Sequence, residues 1–226
     1  MSVPVLLVID LQGGMFNGER IAPIHAGDAL FARVQTLLAQ ARQTGWRVVY
    51  VRHAGGAGHL LEHGTPNWQI HPAIAPRPEE AIADKRTPDS FHETTLLDEL
   101  AATDARRLIV VGAQTEICVD TTCRRACSSG FDVELVADAH STWDNDTLTA
   151  EQIIRHTNLT LSGWFVRLVH AAEVGPSDHF RALPRQRLRR GARAAVGRGD
   201  GPAGGEEVSG DRAADLTGST DDEGVA

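Results

Sequence analysis

The chain contains a single lysine. Of its 22 basic residues 21 are arginine, and the exception is Lys85. Guanidinium fills most surface roles of a cation, but it does not replace a compact ammonium that can be buried and shift its pKa. Lys85 is therefore a candidate for chemistry, the alternative being one lysine left by chance in an arginine-biased composition. Long hydrophobic runs are also missing. Residues 3–9 form a seven-residue apolar run that lacks a basic leader and ends in Asp10, which fits neither a signal peptide nor a membrane span. The expected location is cytoplasmic, with no membrane partner. Cysteine is scarce: Cys118, Cys123 and Cys127 crowd within ten positions, an odd set that suits no disulfide framework and reads as reduced thiols. Positive charge is short as well. The formal net charge is −8 and no basic patch interrupts the central part of the chain, which excludes non-specific nucleic-acid binding.

What is present suffices for one domain, since 226 residues with 42% hydrophobic content bury one substantial core. Residues 3–10, VPVLLVID, are too short for a helix and valine-rich, and predict a strand buried on both faces. Asp10 stands at its carboxyl end, where open parallel sheets gather ligands. It reads as a site residue or as a turn or capping aspartate. Apolar residues at helical spacing predict a helix over 28–44, with Asp28 as N-cap and Gly45 past its end, and 47–53 is a second strand. Strand, helix and strand in that order imply a parallel pair with a right-handed crossover.

Residues 54–80 are rich in Gly, Pro and His and predict an extended loop across the mouth of the sheet. Within it His59, Glu62 and His63 match the H-x-x-E-H pattern of some zinc peptidases. That pattern needs a sustained helix, and GGAG before it and GTP after it argue against one, so no metal is expected. Residues 81–84 form a short strand delivering Lys85. Helices over 91–103, 117–129 and 149–161 alternate with strands over 107–111, 132–137 and 165–169. This alternation predicts an α/β fold, a parallel sheet with helices on both faces. Composition changes after Glu173: 181–198 holds seven arginines and no acid, and 200–226 holds eight acids and one arginine. A domain over 1–174 followed by a disordered tail over 175–226 is expected.

The stretch 108–125, LIVVGAQTEICVDTTCRR, runs from a strand through a tight polar connection into a helix that Cys118 opens. Unpaired N–H groups at a helix start favour thiolate, so Cys118 reads as a nucleophile, with backbone N–H groups near Gln114 and Cys118 available to a developing oxyanion. The alternative is a small cysteine packing helix on sheet, as Cys123 and Cys127 read. A nucleophile needs a base and a group to hold charge, and Asp10 and Lys85 are of the right kinds.

The three blocks VLLVIDLQ, ADKRTPDSFHETTL and VVGAQTEICVDTTCRRA, followed by DAHSTWDND and HTNLTL, resemble the isochorismatase-like cysteine hydrolase family over residues 3–174. The resemblance implies a Rossmann-like three-layer α/β/α sandwich with a six-stranded, mostly parallel sheet. It implies an Asp10–Lys85–Cys118 triad that hydrolyses a C–N bond of a small amide-type molecule through a thioester, without cofactor. It also implies a non-proline cis peptide at Ala113–Gln114 and assembly as a homodimer or homotetramer. Metal-dependent nicotinamidases carry an Asp-x-His pair after the second strand, and RHAGGAGH, with His53 and His59, has no matching aspartate. The namesake isochorismatases cleave a vinyl ether and do not require the cysteine. That activity is one alternative, and a catalytically weak binding or scaffold protein on the same fold is the other. Gln12, Phe16, Trp68, His71, Thr115 and Trp143 are the expected substrate-binding residues, with Gln12 and Thr115 orienting the site by hydrogen bonds.

Overall fold

The computed structural model describes residues 3–175. Six strands form one sheet in the order β3-β2-β1-β4-β5-β6: β1 (Val5–Ile9), β2 (Arg47–His53), β3 (Ala81–Lys85), β4 (Arg107–Ala113), β5 (Asp132–Ser141) and β6 (Arg167–Val169). All five pairings are parallel. β1 is central, and every one of its residues is buried because both faces of the sheet are covered. Leu6 and Val8 point into the core shared with α1 (Gly27–Thr44), while Val5, Leu7 and Ile9 point into the opposite core with α2 (Leu96–Ala101), α3 (Asp120–Ser128) and α4 (Ala150–Leu161). The result is a three-layer Rossmann-like α/β/α sandwich. No described helix is long and apolar enough to cross a membrane.

Local chemistry explains several boundaries. α1 presents Leu30, Phe31, Val34, Leu37, Leu38 and Ala41 to the core and ends at Gly45 with φ 73. Its N-cap is Ala26, so Asp28 lies in the first turn, where its charge faces the positive end of the helix. α4 begins with a capping box in which Thr149 and Gln152 satisfy each other's backbone N–H groups. The helix expected over 91–103 shrinks to α2, because Asp89 and Thr94 draw 89–96 into side-chain-bonded turns: Asp89 Oδ1 accepts from Phe91 N and Thr94 Oγ1 from Leu96 N. Residues 54–80 form the expected loop, broken only by single turns at Pro66–Trp68 and Pro72–Ile74. Of the tail expected over 175–226, all but Gly175 lies outside the described residues. Gly175 belongs to the folded body, its carbonyl accepting from Arg107.

One glycine sets how closely the strands approach beneath the site. At Gly112 φ is +139, and a Cβ there would lie 2.2 Å from the Ile9 carbonyl oxygen. The register between β4 and β5 shifts between Val110 and Gly112, so the last residues of β4 pair with β5 in a new register while Gly112 stays paired with Ile9 of β1. Gly112→Ala is expected to destabilise the protein by more than about 3 kcal/mol in urea denaturation, since neither strand backbone can retreat. Gly45→Ala, also at positive φ but with nothing near the added Cβ, should cost only about 1 kcal/mol.

Candidate active site

The carboxyl ends of β1, β3 and β4 converge on one point. Asp10, the residue after β1, has φ 52, a left-handed conformation that aspartate tolerates better than most residues, and its N–H donates to the Val51 carbonyl at 2.9 Å. This turn aims the carboxylate across the sheet end at the last residue of β3. Lys85 Nζ lies 2.8 Å from Asp10 Oδ2, and the two side chains are 0% and 3% exposed. Lys85 also donates to the Thr87 and Pro88 carbonyls at 3.2 Å each, so the 85–88 turn wraps its own ammonium. Burial works to lower the Lys85 pKa, but the charge of Asp10 prevails and holds it above the usual value. The ammonium is therefore charged.

Cys118 completes the group, its thiol close enough to Lys85 and Asp10 for both charges to act on it. Apart from the ion pair with Lys85, neither Asp10 oxygen has a hydrogen-bond partner among the described residues. The peptide between Ala113 and Gln114 is cis. Gln114 then starts a π-helical turn, Thr115–Val119, and its carbonyl accepts from Ile117 N and Val119 N. Cys118 sits inside this turn rather than in the first turn of an α-helix, and α3 starts two residues later. The expectation of a resting thiolate fails for a related reason. Burial and the Asp10 charge push the thiol up to about 12, and the pull of Lys85 is too weak to reverse them. The sulfur is protonated at rest beside a carboxylate. Cys123 is fully buried in the core, and Cys127 is half-buried.

Thr115, expected to orient the site by hydrogen bonds, holds the turn through two residues that sequence reasoning missed, His140 and Asn158. Thr115 is fully buried, and its Oγ1 lies 2.8 Å from His140 Nδ1, while His140 Nε2 lies 2.9 Å from Asn158 Oδ1. Asn158 Nδ2 donates to the Ala137 carbonyl at 3.0 Å. A carbonyl only accepts, so the Asn158 amide is oriented, its oxygen takes the His140 Nε2–H, and Nδ1 accepts from the Thr115 hydroxyl. Burial drives the His140 pKa down to about 4, which keeps this neutral tautomer in place. The stretch DAHSTWDND gave a sequence-level hint of His140, but nothing in spacing paired it with Thr115. A second tie runs from Thr142 Oγ1 to Glu116 Oε1 at 2.9 Å.

The other expected binding residues do different work. Gln12 is fully buried and clamps main chain: its amide donates to the His53 and Trp68 carbonyls and accepts from His53 N. It therefore positions the loop, and no part of it is left for a ligand. Phe16 and His71 stack with Phe31 and line a cavity of about 520 Å³ against α1, whose walls include none of Asp10, Lys85 or Cys118. His71 Nδ1 is further occupied by Ala73 N. Trp68 is buried beneath Arg52, whose guanidinium carbon lies 3.4 Å from the ring centre. Trp143 donates to the Ala22 carbonyl at 2.6 Å and pins the loop before α1. In the H-x-x-E-H segment, His59 accepts from Leu61 N, Glu62 accepts from Gly58 N, and His63 packs on Trp68. The segment forms no helix, and its three side chains do not converge.

A model of the isochorismatase domain matches residues 4–160. The chain belongs to the isochorismatase family. It is similar to a streptothricin hydrolase from Streptomyces noursei, with 33% identity over 190 residues, covering 81% of this chain and 73% of that one. A ureidoacrylate amidohydrolase from Methylorubrum extorquens is 25% identical over 215 residues, covering 80% and 86%. The crystal structure of a cysteine hydrolase from Pseudomonas syringae superposes with a TM-score of 0.69 at 25% identity, covering 75% and 89%. In this isochorismatase-family hydrolase Asp10 follows central β1, Cys118 lies in the turn after the neighbouring β4, and Lys85 ends β3, one strand beyond β2 on the other side.

Asn158→Leu removes both the amide bond to Ala137 and the acceptor for a buried imidazole N–H. It should lower the unfolding free energy by about 1–3 kcal/mol, read as a fall in the midpoint of thermal unfolding. Unchanged stability would show that the amide does not hold His140.

Proposed function

We propose that this isochorismatase-family hydrolase cleaves a C–N bond of a small amide-type molecule through a thioester on Cys118. The observation that carries the reading is the meeting of a protonated thiol, a buried carboxylate and a buried ammonium at one point. In this reading Asp10 takes the Sγ proton as sulfur bonds to the amide carbonyl carbon, and the negative charge moves to the carbonyl oxygen. Backbone N–H groups around Gln114 and Cys118 receive that oxyanion. Asp10 then returns the proton to the departing nitrogen, the C–N bond breaks, and an acyl-thioester and a free amine result. Water attacks the thioester with Asp10 as base, and Cys118 recovers its proton as the acid leaves. Lys85 stays charged throughout, fixing the carboxylate and lowering the cost of negative charge on sulfur.

The thiol's high resting pKa supports proton transfer concerted with attack, because a free thiolate is disfavoured until the new C–S bond takes up its charge. The resemblance to an enzyme called an amidohydrolase and to another called a cysteine hydrolase supports the bond type and the nucleophile. A thiol nucleophile also suits a reducing compartment, so the cytoplasm is the proposed location. Assembly as a homodimer or homotetramer is proposed with it, Leu159 and Trp164 offering exposed apolar surface.

The test is turnover of a panel of primary amides, ureides and cyclic amides by wild type and Cys118→Ala. The variant should lose at least about a thousandfold in kcat/KM while keeping its fold, and mass spectrometry of wild type should trap an acyl group on Cys118. Full activity in the variant, or vinyl ether cleavage that ignores it, would replace this reading.

A further inference from the structure

A cleft of about 480 Å³ opens at the same end of the sheet, lined by His53, Ala54, Gly55, His59, His63 and Arg86. Its walls include none of Asp10, Lys85 or Cys118, but unlike the cavity against α1 it adjoins the ion pair through chain and sheet neighbours. His53 ends β2 in register with Lys85, its imidazole feels the charges of both Asp10 and Lys85, and Arg86 directly follows Lys85 in the chain. A second cleft of about 400 Å³ shares Ala54, His63 and Arg86, so the guanidinium stands where the two meet.

The wall of the first cleft holds no carboxylate, in a chain whose formal charge is −8. Two of the three acids nearby are already engaged. Asp84 makes a two-pronged pair with Arg52 and Glu62 accepts from Gly58 N, while Glu93, on the wall of the second cleft only, is 85% exposed to solvent. Arg86 has no hydrogen bond or ion pair among the described residues. His53 Nδ1 is buried and lacks a hydrogen-bond partner. Burial lowers the His53 pKa, so near neutral pH its ring offers polar contacts without competing as a second cation. Arg86 is exposed at the cleft wall, and its unpaired guanidinium is a fork that matches a carboxylate in geometry as well as charge.

We infer that this cleft is the part of the substrate site that selects charge, and that the substrate is a small amide bearing a carboxylate held by Arg86 while its carbonyl lies at Cys118. The inference rests on Cys118 being the nucleophile of the proposed reaction. It adds a specificity residue, Arg86, and a substrate class to that reading. Neutral amides of the same length lack the partner for the guanidinium and bind about tenfold more weakly or worse.

Protection of Cys118 from iodoacetamide tests this without requiring turnover. The full chain is alkylated at constant ionic strength in the presence of succinate, glutarate or adipate, or of 1,5-pentanediol as an uncharged control, and the Cys118 peptide is quantified by mass spectrometry. Each protein is compared with its own unprotected rate. At least one dicarboxylate should protect saturably while the diol does not. Arg86→Leu should raise the half-protecting concentration about tenfold or more, and Arg86→Lys should retain part of the protection. No protection by any dicarboxylate, or equal protection in the leucine variant, overturns the inference. Alkylation draws on the small thiolate fraction of Cys118, which makes it slow but does not require amide turnover, so failure of the amide panel would strike the hydrolytic reading and leave this result to stand or fall alone.

Discussion

The buried ion pair between Asp10 and Lys85 is the constraint on which the rest of the site depends. Taking either charge out of water alone costs several kcal/mol, so each is tolerable only with the other in place, and removing one partner of such a pair typically costs about 3–5 kcal/mol. The fold is arranged to bring them together. Central β1 ends in a left-handed residue that turns its carboxylate sideways, edge strand β3 ends in the lysine, and the 85–88 turn supplies carbonyls for the remaining ammonium protons. Gly112 lets β4 pass close enough to β1 for the nucleophile turn to close over the pair.

That pair governs the state of the sulfur. A cysteine near a helix start is normally expected to lose its proton easily, and here the opposite holds, because a carboxylate and a dry environment outweigh a single ammonium. A protonated resting thiol is less open to oxidation and to alkylation by passing electrophiles, since the thiolate is the reactive form. The Thr115–His140–Asn158 chain serves the same site from the other side. It holds the turn carrying Cys118 to β5 and α4 with hydrogen bonds whose directions are all determined by one backbone carbonyl.

Most of the fold was legible because valine-rich runs buried on both faces and helices of regular apolar spacing carry their own signatures. β1, β2 and α1 lie where the pattern put them, to within a residue or so. α2 was overestimated since Asp89 and Thr94 engage backbone N–H groups in turns, a competition that apolar spacing does not reveal. Asp10, Lys85 and Cys118 stood out through a unique residue type, a strand-end acid and a strand-to-helix junction, and the resemblance grouped them. The thiol's protonation state was not legible, because it depends on which charge lies nearer in three dimensions. Nor was Gln12 recognisable as a clamp on His53 and Trp68, or Phe16 and His71 as neighbours of Phe31, because aromatic and amide side chains look alike in sequence whether they meet a ligand or the protein. Arg86 was hidden among 21 arginines until its place on a cleft wall beside the ion pair set it apart.

The central claim is that Asp10, acting against Lys85, keeps Cys118 protonated until attack. Its most direct measurement is the ultraviolet absorbance of the Cys118 thiolate as a function of pH, taken as the difference between wild type and Cys118→Ala, and repeated in an Asp10→Asn background. Asparagine keeps the left-handed backbone while removing the charge. The account predicts that Cys118 in wild type ionises only well above the ordinary thiol range, and that the Asp10→Asn background moves its midpoint downward. A wild-type midpoint below the ordinary thiol value, or one that Asp10→Asn leaves unmoved, would contradict it.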